Sequence, residues 1–206
     1  MFLMVSEFKT ISKSGEGVFK DRGSKFLGFT FHITNEDEIK DALYALRKEY
    51  YDARHHCYAY VLGDDRKTYR ANDDGEPNHS AGDPILGQIH SYELTNILVV
   101  VIRYFGGTKL GVSGLINAYK TSAQLAIDNS TIVKEEVKAT LILEYDYNVT
   151  NEVMRLVREF EIGIQDEQYL EYCLLIGNIR INKVNALKEK IQLLNNTGTE
   201  VFLKFD

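Results

Sequence analysis

The sequence predicts an α+β chain in two parts, and three observations predict it. Short strand-like runs broken by glycines open the chain. The six-residue apolar run Ile97 to Ile102, rich in β-branched residues, leads into a glycine-rich stretch and then a helix with a small-residue face. Beyond Glu135-Glu136 the pattern becomes a β-α-β-β-α-β succession, which places the boundary between residues 1–136 and 137–206.

From Phe8 to about Phe31, strands alternate with the turn-forming stretches Ser14-Gly15-Glu16-Gly17 and Asp21-Arg22-Gly23. Asn35 is placed to cap a helix with Glu38 three residues on, and Ile39, Leu43, Leu46 and Tyr50 recur at helical spacing. Cys57 to Leu62 and Lys67 to Ala71 read as a hairpin about Gly63-Asp64-Asp65, followed by a polar loop from Asn72 to Asp83. A short helix is expected over Pro84 to Tyr92. The run Ile97 to Ile102 then reads as a central strand covered on both faces. Leu115, Ala118, Tyr119, Ser122, Leu125 and Ala126 form a helical face small enough to approach a sheet closely.

In the second part, Leu141 to Tyr145 reads as a strand, and Val149, Val153, Leu156, Val157 and Phe160 mark a helix. Gly163 to Gln165 and the alternating Leu170, Tyr172, Leu174 and Ile176 suggest a hairpin turning at Asp166-Glu167. A helix over Val184, Leu187, Ile191 and Leu194 and a strand over Val201, Leu203 and Phe205 complete a ferredoxin-like order.

Composition narrows the function classes. The 206 residues are 44% hydrophobic and 26% charged, a globular balance. The net charge is −6, with 16 Lys and Arg against 19 Asp and Glu up to Glu136 and 8 against 11 beyond it. Neither part is the basic module that grips nucleic acid broadly, so any phosphate contact is confined to a local cluster. Cys57 and Cys173 are far apart in apolar strand-like runs, which suits a reducing cytoplasm and argues against a disulfide framework or a zinc knuckle. The apolar opening Phe2-Leu3-Met4-Val5 is too short for a signal h-region, and no run is long enough to cross a bilayer.

Three stretches carry side chains suited to chemistry. The first is the loop after the central strand, with Arg103, Tyr104, Phe105, Gly106, Gly107 and Lys109 ahead of the next helix. Converging backbone N–H groups and a helix N-terminus make an anion site, and Tyr104 and Phe105 offer rings for stacking. The same glycines equally serve a tight strand-to-helix turn with Arg103 paired to a carboxylate. Neither the Walker A nor the G-x-G-x-x-G spacing is present.

The second stretch runs from Asn72 to Gly82 and holds Asp73, Asp74 and Glu76. These residues suit either turn chemistry or oxygen ligation of a cation, but the spacing is not that of an EF-hand, and no metal is assigned. The third is Arg54-His55-His56-Cys57. Strand parity puts His55 and Cys57 on one face, about 7 Å apart, too far for direct thiol activation, so a buried Cys with a hydrogen-bonded His stands against a nucleophile.

These stretches are also where the chain resembles a known family. Gly82-Asp83-Pro84-Ile85-Leu86, then Arg103-Tyr104-Phe105-Gly106-Gly107 to Gly111, resemble the signature of the IMPACT family. Ser24-Lys25-Phe26-Leu27, Ala53 to Tyr60 and Asp73-Asp74-Gly75-Glu76-Pro77 are similar in order and spacing, and the second part resembles the C-terminal domain of bacterial, YigZ-type members. The chain departs from the family pattern at Asn78-His79, where small residues are usual, and at Ser113 and Asn117, where a glycine and a basic residue are usual.

The resemblance implies a first domain like ribosomal protein S5 domain 2, shared with domain IV of elongation factor G, and a ferredoxin-like second domain similar to that factor's domain V. It implies contact with RNA, the ribosome or a translation factor, since eukaryotic relatives regulate translation. The expected function is therefore a cytoplasmic, non-enzymatic regulator without cofactors. Arg103, Lys109 and the Gly106-Gly107 backbone would receive phosphate, with Arg54 and Lys25 extending the surface. The rival readings are an enzyme with His55, Asp73 and Glu76 in one pocket, with Asp74 beside them, and a protein-interaction module with Tyr104 and Phe105 as exposed anchors.

Overall fold

The computed structural model describes residues 6–205, so Phe2-Leu3-Met4-Val5 lies outside the described residues. The chain divides into a unit spanning Phe8–Glu135 and a second that runs from Glu136 and takes in Glu7. Both are mixtures of helix and sheet. Among the described residues, no helix is long and apolar enough to cross a membrane.

Strand β1 (Glu7–Lys13) leads into the first unit and is followed by β2 (Glu16–Asp21) and β3 (Ser24–His32). The two-residue turn between β2 and β3 has positive φ at both Arg22 (44°) and Gly23 (79°), the twist that suits a tight hairpin. Helix α1 (Glu36–Glu49) starts as its sequence requires. Asn35 Oδ1 accepts from the backbone N–H groups of Asp37 and Glu38, and Glu38 reaches back to the N–H of Thr34.

Strands β4 (His55–Leu62) and β5 (Thr68–Asn72) form the expected hairpin, followed by α2 (Gly82–Ser91), β6 (Ile97–Tyr104), α3 (Gly111–Asp128) and β7 (Thr131–Glu136). Strand β7, which pairs with β1 in a two-stranded sheet, is not signalled by the sequence, because Lys134, Glu135 and Glu136 leave it without an apolar alternation.

The main sheet has the order β2-β3-β6-β4-β5, antiparallel throughout, with β6 at its centre. Ile97 to Ile102 are all fully buried. Ile97, Val99 and Val101 join one core with Ile85 and Ile89 of α2 and Leu115 and Tyr119 of α3. Leu98, Val100 and Ile102 join a second core with Ile39 and Leu46 of α1. The small-residue face of α3 lies directly on the sheet. A Cβ added at Gly28 would stand 2.5 Å from the Ser122 carbonyl oxygen, so only glycine permits this approach.

The second unit runs β8 (Lys138–Tyr145), α4 (Thr150–Phe160), β9 (Gly163–Tyr169), β10 (Cys173–Arg180), α5 (Val184–Asn196) and β11 (Val201–Phe205). Its sheet has the order β11-β8-β10-β9, and Val153, Leu156, Leu187 and Ile191 of the helices close over Leu141, Leu143, Leu175 and Ile179. One detail corrects the sequence reading. Asp166 and Glu167 lie inside β9, and the turn falls at Leu170-Glu171-Tyr172. The apolar run Cys173 to Ile176 can be read in either phase of a two-residue period, and the core takes Cys173 and Leu175, leaving Leu174 and Ile176 half-buried.

Candidate functional site: a cationic cavity at the end of the central strand

Strand parity decides which residues of the glycine-rich stretch meet. Arg103 and Tyr104 are consecutive in β6 and point to opposite faces of the sheet. Arg103 follows Val101 toward α2 and α3, and its neighbours in register on the adjoining strands are Phe26 and His55. Tyr104 turns toward the α1 side, with Lys25 beside it in register on β3, and its hydroxyl donates to Asp52 Oδ1 at 2.7 Å. That hydrogen bond to Asp52 pushes the Tyr104 phenol up to about 12. Lys25 and Tyr104 are therefore on the face opposite Arg103 and share no pocket with it.

Arg103 is only 7% exposed, and its charge is met inside the fold. Its Nη1 donates to Glu76 Oε1 at 2.6 Å, and the Glu76 side chain is itself 4% exposed. The Tyr119 hydroxyl donates to the same oxygen at 2.8 Å. The Arg103 guanidinium also lies 5.5 Å from the ring centroids of Phe26 and Phe105, one ring buried and the other exposed. Its Nε has no hydrogen-bond partner. The carboxylate partner suggested for Arg103 is thus Glu76, delivered from the acidic loop 27 residues earlier.

Each acid of that loop has its own protein partner. Asp73 accepts from the backbone N–H groups of His79, Ala81 and Gly82, at 2.9, 2.9 and 2.8 Å, which caps α2 from a distance and starts it two residues before Pro84. Burial works to raise the Asp73 pKa, but these three N–H groups outweigh it and hold the carboxyl below its usual value. Asp74 accepts from the His56 N–H at 2.6 Å and from Arg47 at 3.1 Å. Among the described residues, no three His, Cys, Asp or Glu side chains are grouped to hold a metal ion.

Because the folded-state pKa of Asp73 is depressed, its contribution to stability is present above the unfolded value of about 3.9 and is lost as pH falls through the folded value. Asp73→Asn is expected to unfold at lower urea than the natural chain at pH 7, with the gap closing below about pH 4 as the natural carboxyl protonates. Urea titrations across that range check this.

Cys57 is fully buried and donates its thiol to the Asp73 carbonyl at 2.9 Å and to the Tyr119 hydroxyl at 3.3 Å. Burial pushes the Cys57 thiol well up, so it stays protonated at neutral pH and is not a nucleophile. His55, on the same face, bonds through Nδ1 to the Asp74 carbonyl at 2.9 Å, and its Nε2 is 4.0 Å from Glu76 Oε1. His56 is buried on the other face, where burial lowers its pKa.

Above the Arg103–Glu76 pair opens a cavity of about 480 Å³. Arg54, His55 and Lys109 line it together with Arg103 and Glu76. Phe105, Pro77, Leu110, Val112 and Leu115 supply apolar wall. Three permanent cations therefore face one carboxylate, in a chain whose net charge is −6. The first residues of α3, Gly111 and Val112, also line the cavity. This 18-residue helix has no acidic residue in its first turn, and its N-cap Leu110 makes no side-chain hydrogen bond. Its partial positive charge is left uncompensated from within the helix.

The glycines divide between packing and loop shape. A Cβ on Gly106 would meet the Gly23 carbonyl carbon at 1.8 Å, and the Gly106 N–H already donates to Ser24 Oγ at 3.1 Å. Gly106 is therefore a docking point against the β2–β3 turn, and its N–H is occupied. Gly107 and Gly111 have φ of 86° and 74° and face open space. Of the twelve residues singled out from sequence, six line the cavity: Arg54, His55, Glu76, Arg103, Phe105 and Lys109. Tyr119 and Phe26 were missed as site residues. Both read as core, and their polar and ring contacts to the Arg103–Glu76 pair depend on strand pairing and long-range packing.

The comparisons with known proteins fall on this same region. The family profile described as the Impact N-terminal domain matches residues 22–127, a span that contains every residue lining the cavity. The IMPACT family member YvyE of Bacillus subtilis (strain 168) is 28% identical over 198 residues, 96% of this chain and 91% of that protein. The IMPACT family member YigZ of Escherichia coli (strain K12) is 31% identical over 170 residues, 82% of this chain and 83% of that protein. A crystal structure described as that of a hypothetical protein matches with a TM-score of 0.76 at 27% identity, covering 97% of each chain.

Proposed function

We propose that this chain, which belongs to the IMPACT family, is a translation-linked regulator that binds RNA, free or within the ribosome, through the cavity beside its glycine-rich loop. The observation that carries the reading is the concentration of Arg54, Arg103 and Lys109 around one concave site at the uncapped start of α3, in a chain that is otherwise acidic. Such a site takes phosphate locally and gives no grip along a whole duplex. The translational context is what the family resemblance implies, and it enters as analogy.

The division into a first domain of residues 1–136, like ribosomal protein S5 domain 2, and a ferredoxin-like second domain of residues 137–206 belongs to the same proposal. The β-α-β-β-α-β order with sheet order β11-β8-β10-β9 supports the second assignment.

Arg54 and Lys109 are the residues to substitute, because both are exposed, whereas Arg103 is held inside the fold by Glu76. The Arg54→Ala, Lys109→Ala pair is expected to weaken binding to ribosomal RNA fragments in filter assays. It is also expected to reduce the magnitude of the salt slope by about 1.4 for a single strand, because two phosphates would no longer be neutralised. Unchanged binding and an unchanged slope would contradict the proposal. Recovery of a translation factor with no nuclease-sensitive component would assign the cavity to a protein partner instead.

One observation favours the enzyme reading in part, since His55 and Glu76 meet in the cavity. Asp73, the third residue that reading needs, is engaged by backbone N–H groups through both oxygens and does not line the cavity. The regulator reading is the better supported.

A further inference from the structure

We infer that the cavity receives one unstacked nucleotide of a strand, its base laid against Phe105 and the phosphates on its two sides held by Arg54 and by Lys109 with the start of α3. This inference rests on the RNA reading above and specifies which form of RNA the site takes.

The shape of the site is the first ground. A concave volume of about 480 Å³ is within the range of about 300–1,000 Å³ typical of small-ligand sites, and it suits one nucleotide unit. The sugar-phosphate ridge of an intact duplex presents no free base to enter such a hole. Phe105 is the second ground. It is 56% exposed and lines the cavity, so its ring is open to a ligand there. One side of the ring lies against the Arg103 guanidinium, which Glu76 holds in turn, so the ring sits on a braced support. A ring backed by a guanidinium is a stacking platform of the kind used by proteins that bind unpaired bases.

Charge is the third ground. Only Arg54 and Lys109 offer cations not already paired in the fold among the residues lining the cavity, since Arg103 is paired with Glu76. Neutralising two phosphates predicts a salt slope of about −1.4 on a single strand, well short of the steep slopes of proteins that neutralise six or more duplex phosphates. More than nine-tenths buried, Arg103 lines the cavity while its charge stays with Glu76. Pro77, Val112 and Leu115 line the same cavity as Arg54 and Lys109, the mix of apolar and charged groups that a base and its phosphates require.

The same chemistry arises from a strand of RNA or from a free nucleotide. The test uses the full chain and a fluorescein-labelled twelve-nucleotide single-stranded RNA. Anisotropy is compared with that of the same sequence in a duplex, and a nucleoside 5′-monophosphate serves as competitor.

The single strand is expected to bind at least about tenfold more tightly than the duplex, with a salt slope near −1.4. Phe105→Ala is expected to weaken the single strand roughly fivefold to 150-fold, the range that loss of base stacking produces, while Phe105→Tyr restores it. Because Phe105 is exposed, circular dichroism is expected to show both variants folded. Competition by the monophosphate at concentrations comparable to the oligonucleotide identifies a free nucleotide as the occupant, and its failure identifies the strand. Equal affinity for strand and duplex, with Phe105→Ala neutral, overturns the single-nucleotide inference and leaves the phosphate reading standing. Absence of binding to the strand, the duplex and the monophosphate overturns both.

Discussion

Glu76→Ala is expected to lower the stability of the chain by about 3–5 kcal/mol, because it leaves the buried Arg103 guanidinium without its counter-charge. Glu76 Oε1 accepts from Arg103 at 2.6 Å and from Tyr119 at 2.8 Å, and both charged side chains are under 10% exposed. Removing the carboxylate strands a cation in a setting that water does not reach freely, and leaves a buried phenol without its acceptor. Glu76→Gln keeps an acceptor for Tyr119 and is expected to cost less.

Glu76→Leu combined with Arg103→Met removes both charges and is expected to recover much of the stability lost in Glu76→Ala, as apolar replacements of buried ion pairs do elsewhere. Urea unfolding of the set measures all of this. If Glu76→Ala unfolds like the natural chain, the pair is not buried as described.

Gly106→Ala is expected to be the next most damaging change. Its Cβ would stand 1.8 Å from the Gly23 carbonyl carbon and 2.1 Å from the Ser24 nitrogen, both backbone atoms that cannot rotate away. The loop must move off the β2–β3 turn, which costs about 1–3 kcal/mol or more and breaks the Gly106 N–H bond to Ser24 Oγ. The loop also carries Phe105 and Lys109, so RNA affinity is expected to fall with stability. Gly107→Ala is the control. There is open space around that position, and its cost comes only from the positive φ of 86°. A Gly106→Ala protein with normal unfolding and normal binding would show that the loop is not docked where it is described.

Most of the first unit's framework was legible because its signals are local. The Asn35 cap, the Arg22-Gly23 turn and the buried run of β6 each depend on residues within a few positions of one another. Where the signal is long-range, the sequence reading loses ground. Arg103 and Tyr104 were grouped because they are adjacent, although adjacency in a strand is what sends them to opposite faces. That parity was available from β6 alone. The position of Lys25 beside Tyr104 was not, since it requires the pairing of β3 with β6.

The Arg103–Glu76–Tyr119 cluster joins a strand, a loop and a helix separated by 27 and 43 residues, and no spacing rule reports such a contact. In the second unit, the displaced turn has the same origin. An unbroken apolar run gives no phase, and only packing against α4 and α5 selects Cys173 and Leu175 for the core.

The charge balance narrowed the search in a way that geometry then made concrete. A chain with net charge −6 confines nucleic-acid contact to a local basic neighbourhood, and the cavity at Arg54, Arg103 and Lys109 is one. Its counter-charge, Glu76, serves the fold by holding Arg103 and bracing Phe105 through it. Stability and the proposed binding are thus linked through one buried pair, and for this reason the exposed Arg54 and Lys109 are the residues that separate the two effects.

Whether RNA is met at this cavity is read residue by residue in an NMR titration of the ¹⁵N-labelled chain with single-stranded RNA. Amide shifts are expected to concentrate at Arg54, His55, Phe105 and Lys109 to Leu115, and to be abolished by the Arg54→Ala, Lys109→Ala pair. Shifts confined to the strands of the second unit, or to the Lys25 and Tyr104 face of the sheet, would contradict binding at the cavity.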